Sequence, residues 1–463
     1  MTELPVGFRV ELRTDVRRVD GGRVLLGGSP VRVVRMTPRA VALLSQGVLE
    51  VVDTATGRLA RQLLDGNVAD PVLPRQPVAA SDITVVIPVR DRSAQLERCL
   101  EALRPLKAIV VDDASLDAAA IRTVADRFEA KYVRLDVNVG PAGARNVGLK
   151  QVTTQLVAFV DSDVTVTALA LQMLARHCTD PRLALVGPAV RGSCGSERPR
   201  WFERYDVAAS SLDLGSRGAQ VRPGAAVGWL PSACLVGRTS LLGRGFDAHM
   251  RVGEDVDLVW RLHDRGQVVR YDPTVVARHD VRPTVRGWLG RKFVYGTGGG
   301  DLARRHGDRV APAALSPVMA VGAFALLVRR KWSLPVAAMS VAVSARLLHR
   351  TLPLDRDQDR RAFAFRLSLR GLGWAVQQES ALILRHWWPG TLLALLVSRS
   401  VRRAFVAALL VDIALFMRER PGVGAVTVLA ARRADDLAYG AGLWWGALRA
   451  GSARCLMVRR PGS

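Results

Sequence analysis

The chain has 463 residues, 49% of them hydrophobic, which is ample for packed cores, excludes a disordered chain and suggests about three domains by length. Its formal net charge is +24, and residues 281–463 hold 29 Lys and Arg against 10 Asp and Glu, so most of the surplus sits in the last two-fifths. Cys99, Cys178, Cys194, Cys234 and Cys455 are odd in number and form no Cys-x-x-Cys, which excludes a disulfide framework or a zinc site and points to a reducing cytosol.

Residues 1–77 read as a small winged-helix-like α+β module. Gly21-Gly22 and Gly27-Gly28 punctuate short β-branched runs, predicting two strands. Thr37 is placed to cap a helix that begins at Pro38. The Pro-rich stretch from Pro71 to Pro77 reads as a linker.

Residues 81–300 read as an α/β domain. Ile83–Pro88 is an apolar strand, Ala94–Leu103 an amphipathic helix, and Ala108–Val111 a second strand ending at Asp112-Asp113. The alternation continues through Ile121–Ala130, Tyr132–Leu135, a helix near Ala142–Lys150, and a strand ending at Val160. Strands separated by helices imply a doubly wound, parallel sheet. Ligands of such sheets sit beyond the carboxyl ends of the strands, where Pro88–Arg90, Asp112-Asp113 and Asp161–Asp163 all fall.

Residues 301–463 are basic and apolar and read as helical. Ala311–Val328 carries no charge and is closed by Arg329-Arg330-Lys331. Its length meets the lower limit for a membrane span, so the expectation is a short hairpin over Ala311–Leu348 or helices lying on an anionic cytoplasmic leaflet. The arginines are interleaved with Leu, Ala and Val and lack a base-stacking aromatic pattern, which disfavours nucleic acid as the partner. The N-terminus shows no basic-then-apolar signal segment, so a cytoplasmic location at the membrane face is expected.

Four polar signals follow one another inside the α/β pattern. A carboxylate of Asp112-Asp113, at a strand tip, can accept from a nucleobase N–H or cap the next helix. Gly140-Pro-Ala-Gly-Ala-Arg-Asn-Val-Gly148 brings small residues to a helix entry, where a ribosyl or phosphate group can approach and Arg145 can neutralise it, although spacing alone favours a simple loop. Asp161-Ser-Asp163 points two carboxylates to one side, able to share a divalent cation and a phosphate. Glu254-Asp255 opens an amphipathic helix whose dipole favours an ionised carboxylate, as a general base requires, although capping alone would also account for it. His279 is a candidate third metal ligand or a partly buried core histidine.

The order Thr-Val-Val-Ile-Pro-Val-Arg-Asp, Val-Val-Asp-Asp-Ala-Ser, Gly-Pro-Ala-Gly-Ala-Arg-Asn, Asp-Ser-Asp, Gly-Glu-Asp-Val-Asp-Leu resembles glycosyltransferase family 2, the inverting enzymes of GT-A fold. The resemblance covers about residues 81–300. It implies that Pro88, Arg90 and Asp113 line a nucleobase pocket, that Asp161 faces the ribose and phosphate, that Asp163 binds Mg²⁺ or Mn²⁺, and that Asp255 deprotonates an acceptor hydroxyl. The Gln-x-x-Arg-Trp signature of processive cellulose-synthase-like members is absent, so a polymer-translocating enzyme is not expected.

Over the whole chain, the N-terminal unit, Ser210-Ser-Leu-Asp-Leu-Gly215, Tyr295-Gly-Thr-Gly298 and the basic tail resemble members that glucosylate a peptide-derived redox cofactor. That resemblance implies UDP-glucose as nucleotide-sugar donor, a peptide-derived small-molecule acceptor and a β-linked oligosaccharide product. The N-terminal pattern also resembles precursor-peptide-binding modules of ribosomal peptide pathways. A polyprenyl phosphate or cell-wall glycan is the alternative acceptor.

Overall fold

Every position of Ile83–Val89 is buried, as befits a parallel strand covered on both faces. The structure, a computed structural model, describes residues 3–29, 31–354, 357–420 and 422–460. Their contacts divide the chain into two units, one of Met1–Gly195 with Ala209–Val281, the other of Ser196–Ala208 with Arg282–Ser463.

The first unit is built on a mixed sheet in the order Val164–Thr165, Val268–Asp280, Leu183–Ser193, Cys234–Arg238, Leu156–Val160, Ile83–Val89, Lys107–Asp113, Lys131–Leu135. The last four are mutually parallel, whereas Cys234–Arg238 runs antiparallel to both of its neighbours. Val85, Ile87 and Val110 join Leu96, Leu100, Ile121 and Leu171 in the principal core. The four parallel strands are the doubly wound core that the alternation of strands and helices predicts, while the antiparallel Cys234–Arg238 makes the sheet mixed rather than wholly parallel.

The N-terminal segment is richer in strands than its sequence suggests. Six strands form two three-stranded antiparallel sheets, Arg9–Leu12 flanked by Val48–Glu50 and Ala69–Val72, and Val24–Gly27 flanked by Arg17–Val19 and Arg32–Arg35. The Pro-rich run is therefore only partly a linker, because Pro71 sits in an edge strand opposite Val10, where a missing N–H costs no ladder bond. The helix Thr54–Asp65 starts with a capping box between Asp53 and Thr56 and buries Ala60, Leu63 and Leu64 in the module's own core.

The module is tied to the sheet domain by specific bonds. Both Arg61 nitrogens bond the Asp180 carboxylate at 2.7 Å. Asn67 accepts from the Gln220 amide at 2.6 Å, and Arg222 donates to the Ser29 carbonyl at 3.0 Å.

The second unit is helical. Its boundary falls near residue 282 rather than 300, because the helix Val285–His306 packs along Ala425–Ala450, and it also takes in the helix Trp201–Ala208 from within the α/β sequence. The crossing of the two long helices demands glycine: a Cβ on Gly296 would lie 2.2 Å from the Tyr439 carbonyl oxygen and one on Gly442 1.9 Å from that of Phe293. Lys292, buried in the same region, pairs with Asp206 at 3.1 Å and Asp435 at 3.2 Å.

The uncharged stretch from Ala311 forms a helix only over Pro317–Val328, twelve residues or roughly 18 Å, shorter than a bilayer core of roughly 30 Å. The hairpin expected over Ala311–Leu348 consists of this helix packed on Ser333–Thr351, the first helix starting late at its proline and ending at Arg329 in a left-handed conformation. Among the described residues no single helix is long and apolar enough to cross a membrane. One pair, Asp357–His386 and Trp388–Val397, reaches that length and composition together but is bent by 92°.

Candidate active site

The parallel strands Ile83–Val89 and Leu156–Val160 lie side by side in the sheet, and their carboxyl ends carry the loops beginning at Arg90 and Asp161. Chain order reverses between these strands, which is where a doubly wound sheet opens a crevice. Two left-handed residues shape the rim. Asp91 (φ 55°) and Ala114 (φ 57°) turn the loops after adjacent strands toward each other, locked by Asp91 N–H donating to Ser115 Oγ at 3.0 Å and Leu116 N–H donating to Asp91 Oδ1 at 2.6 Å.

Asp163 is buried, 3% exposed at its side chain, and its Oδ2 is bonded by Arg92. His279 Nε2 lies 3.7 Å from the same oxygen, because the strand Val268–Asp280 pairs His279 with Val164. A carboxylate and an imidazole converging at this spacing fit two ligands of one divalent cation, the remaining positions being left to phosphate oxygens and water. The three-ligand set of Asp161, Asp163 and His279 is not assembled: no group of three metal-ligating side chains occurs among the described residues. The reason is that Asp161 is taken by another partner.

That partner is Arg145, whose side chain is 2% exposed. It bonds Asp161 Oδ1 at 2.5 Å and Glu254 Oε1 at 3.1 Å, with its guanidinium 5.2 Å from the Phe246 ring centre. Burial works against the Arg145 charge, but the Asp161 and Glu254 carboxylates more than offset it and raise its pKa. Arg145 is therefore not a free phosphate ligand at the helix entry; it ties the Asp161 strand tip to the helix Glu254–Asp264.

Gly253, in the left-handed region at φ 83°, turns the chain into that helix. Glu254 faces inward to Arg145 and to Ser232 Oγ at 3.4 Å, so of the two acids only Asp255 is placed to meet an acceptor. Asp255 is half-buried and accepts from the Ser232 N–H at 3.2 Å and the Val256 N–H at 2.8 Å. Burial and the neighbouring Glu254 push its carboxyl up to about 7.

The nucleobase candidates differ in accessibility. Arg90 has a half-exposed side chain 3.6 Å from Asp91. Pro88 is buried within its strand opposite Val111. Asp113 accepts from the Val139 and Gly140 N–H groups at 2.7 and 2.9 Å, one per carboxylate oxygen, so its first task is to anchor the entry of the helix Gly140–Leu149. Asp112 is consumed by Ser115, Tyr132 and Arg134. Arg92 and Ser232 escaped the sequence reading because their partners lie 71 and 23 positions away, with no local signal.

A mixed sheet of this order, with Asp-x-Asp at the reversal point and an acid-led helix opposite, defines a GT-A-type glycosyltransferase. The description "Glycosyl transferase family 2" matches residues 84–239, and the chain belongs to that family. It is 40% identical to the pre-mycofactocin glycosyltransferase of Mycobacterium tuberculosis strain H37Rv over 472 aligned residues, covering 97% of each chain. It is also 25% identical to the poly-β-1,6-N-acetyl-D-glucosamine synthase of Staphylococcus aureus strain COL, covering 48% of this chain and 56% of that one. A solved mannosyltransferase of Pyrobaculum calidifontis, in complex with GDP-mannose and Mn²⁺, is 18% identical with a TM-score of 0.43, covering 81% of this chain and 90% of that one.

Proposed function

We propose that the enzyme transfers glucose from UDP-glucose, with inversion, onto a mycofactocin-type acceptor derived from a peptide, extending it as a β-linked oligosaccharide. The observation that carries the chemistry is Asp255, a carboxyl raised to about 7 at a helix N-terminus that Arg145 ties to Asp161. The acceptor class is supported by 40% identity across 97% of the chain to the pre-mycofactocin enzyme.

In this reading Asp255 takes the proton of the acceptor hydroxyl while that oxygen attacks the anomeric carbon on the face opposite the departing diphosphate. Arg145 and Glu254 fix the distance between the donor end and the base. Asp161, held by Arg145, turns its remaining oxygen to the nucleotide, and Arg90 lies at the base-binding rim. Asp163 and His279 would hold Mg²⁺ or Mn²⁺, which when bound neutralises charge growing on the leaving diphosphate. Arg92, bonded to Asp163, would be free to turn toward the diphosphate if a cation took that carboxylate.

Residues 1–77 act in this reading as a peptide-recognition module; the support is an independent core and fixed attachment to the catalytic sheet. The basic, apolar second unit rests on the cytoplasmic membrane surface, supported by its charge and its exposed apolar side chains. Incubation of the purified chain with UDP-glucose, Mn²⁺ and premycofactocin tests the proposal, the expected product being a series of hexose-mass additions. No addition to this acceptor, with transfer to a polyprenyl phosphate instead, would replace the acceptor assignment and keep the chemistry.

A further inference from the structure

The second unit contains a cavity of about 890 Å³ between its helices, lined by Phe324, Trp332, Ile383 and Trp387 with Arg459 and Arg460 among its wall residues. Small-molecule sites span roughly 300–1,000 Å³ and normally carry several converging polar groups that orient a ligand. This wall is almost wholly apolar. Its one carboxyl, Glu379, is pushed up by burial alone to about 8 and so stays uncharged at neutral pH.

The surroundings of the cavity are as informative as its wall. A π-turn over Leu382–His386 breaks the chain at Trp387 and swings the short helix Trp388–Val397 through 92°. That helix carries no charge and leaves Leu393, Leu396 and Val397 at least 70% exposed, while Val321, Phe324 and Trp332 are at least half exposed. An apolar surface this extensive marks an interaction site, and tryptophans beside it suit a membrane interface. Arg329-Arg330-Lys331 precedes Trp332, so cationic groups occur both in the wall and next to it in the chain.

We propose that this cavity binds one anionic phospholipid, an acyl chain filling the apolar interior and the phosphate meeting Arg459 and Arg460. The cavity size and apolar wall suit a hydrocarbon chain, and the arginines select the charge of the headgroup. The helix Trp388–Val397 then lies in the interface plane with its leucines among the lipid tails.

This inference rests on the membrane-surface reading of the second unit, and the two fail separately. The full-length protein is incubated with vesicles of phosphatidylglycerol or phosphatidylcholine, assayed by sedimentation, and examined for retained lipid by native mass spectrometry. One phosphatidylglycerol per chain is expected, retained at least tenfold more than phosphatidylcholine. Ala320→Phe and Ala394→Phe, which fill the cavity from two different helices, should each abolish retention without altering the circular dichroism spectrum; if one variant misfolds, the other decides. Arg459→Gln with Arg460→Gln should remove the headgroup preference. Sedimentation with vesicles but no retained lipid, or retention unaffected by both fillings, overturns the cavity site and leaves surface association standing. Retained lipid without sedimentation keeps the site and overturns the surface reading.

Discussion

Asp255 shows how surroundings raise the proton affinity of one carboxylate beside another. Its neighbour Glu254 carries the same chemistry, yet Glu254 is ion-paired with Arg145 while Asp255 is desolvated beside it, so the two acids sit in different electrostatic environments. In the proposed mechanism ionised Asp255 is the base, so the rate of transfer should climb about tenfold per pH unit below an acid limb near 7 and level off above it. Asp255→Asn should keep donor binding by calorimetry and lose transfer by at least a hundredfold; normal turnover in that variant would remove Asp255 from the mechanism.

The same shift has a stability consequence. A carboxyl raised on folding binds its proton more tightly in the native state, so its contribution is present below the unfolded pKa near 4 and is lost as pH rises through about 7. Asp255→Asn should therefore raise Tm at pH 8 by ~2–4 °C and leave it unchanged at pH 4. Arg145→Lys keeps a charge but not a fork able to reach two carboxylates. It should lower kcat more than it changes donor affinity, because what is lost is the spacing between donor end and base.

At the scale of elements, pairing across long sequence separations holds the first unit together. Burial alone would raise the Asp180 carboxyl, but hydrogen bonds and charge from Arg61 hold it below the usual carboxylate range. Arg61→Ala would leave that carboxylate buried without its bidentate partner, and a loss of ~3–5 kcal/mol is expected in urea unfolding monitored through the N-terminal module. The helix crossing in the second unit tolerates no side chain at its closest points. Gly442→Leu drives a Cβ into the Phe293 carbonyl, so the helices must separate, and thermal unfolding should fall by several degrees, whereas Gly422→Leu, where a Cβ meets nothing, should be silent.

At the scale of the molecule, charge and chemistry lie in different parts of the chain. The acidic motifs fall in residues 112–255, while the basic surplus falls after residue 281. Attraction to an anionic surface is screened by salt over about 8–10 Å, so vesicle binding should weaken several-fold between 50 and 500 mM salt while transfer to a soluble acceptor changes little. Loss of activity in parallel with vesicle binding would couple the two.

Residues close in sequence were legible from sequence. Strand tips and helix entries depend on local alternation and capping, which indicate a doubly wound sheet, and the ordered motifs along them carry the resemblance to glycosyltransferase family 2. Tertiary structure decided everything that depends on distant partners. Arg145 became a buried tie rather than a phosphate ligand, Asp161 left the metal set, Arg92 joined Asp163, and Asp113 took up backbone N–H groups. The N-terminal module gained four strands because antiparallel pairing is settled by which segments meet, and short strands carry too few residues to announce themselves. The apolar run after Ala311 stopped short of a span for a related reason: hydropathy records what a segment can bury, and only the fold shows how much of it becomes helix.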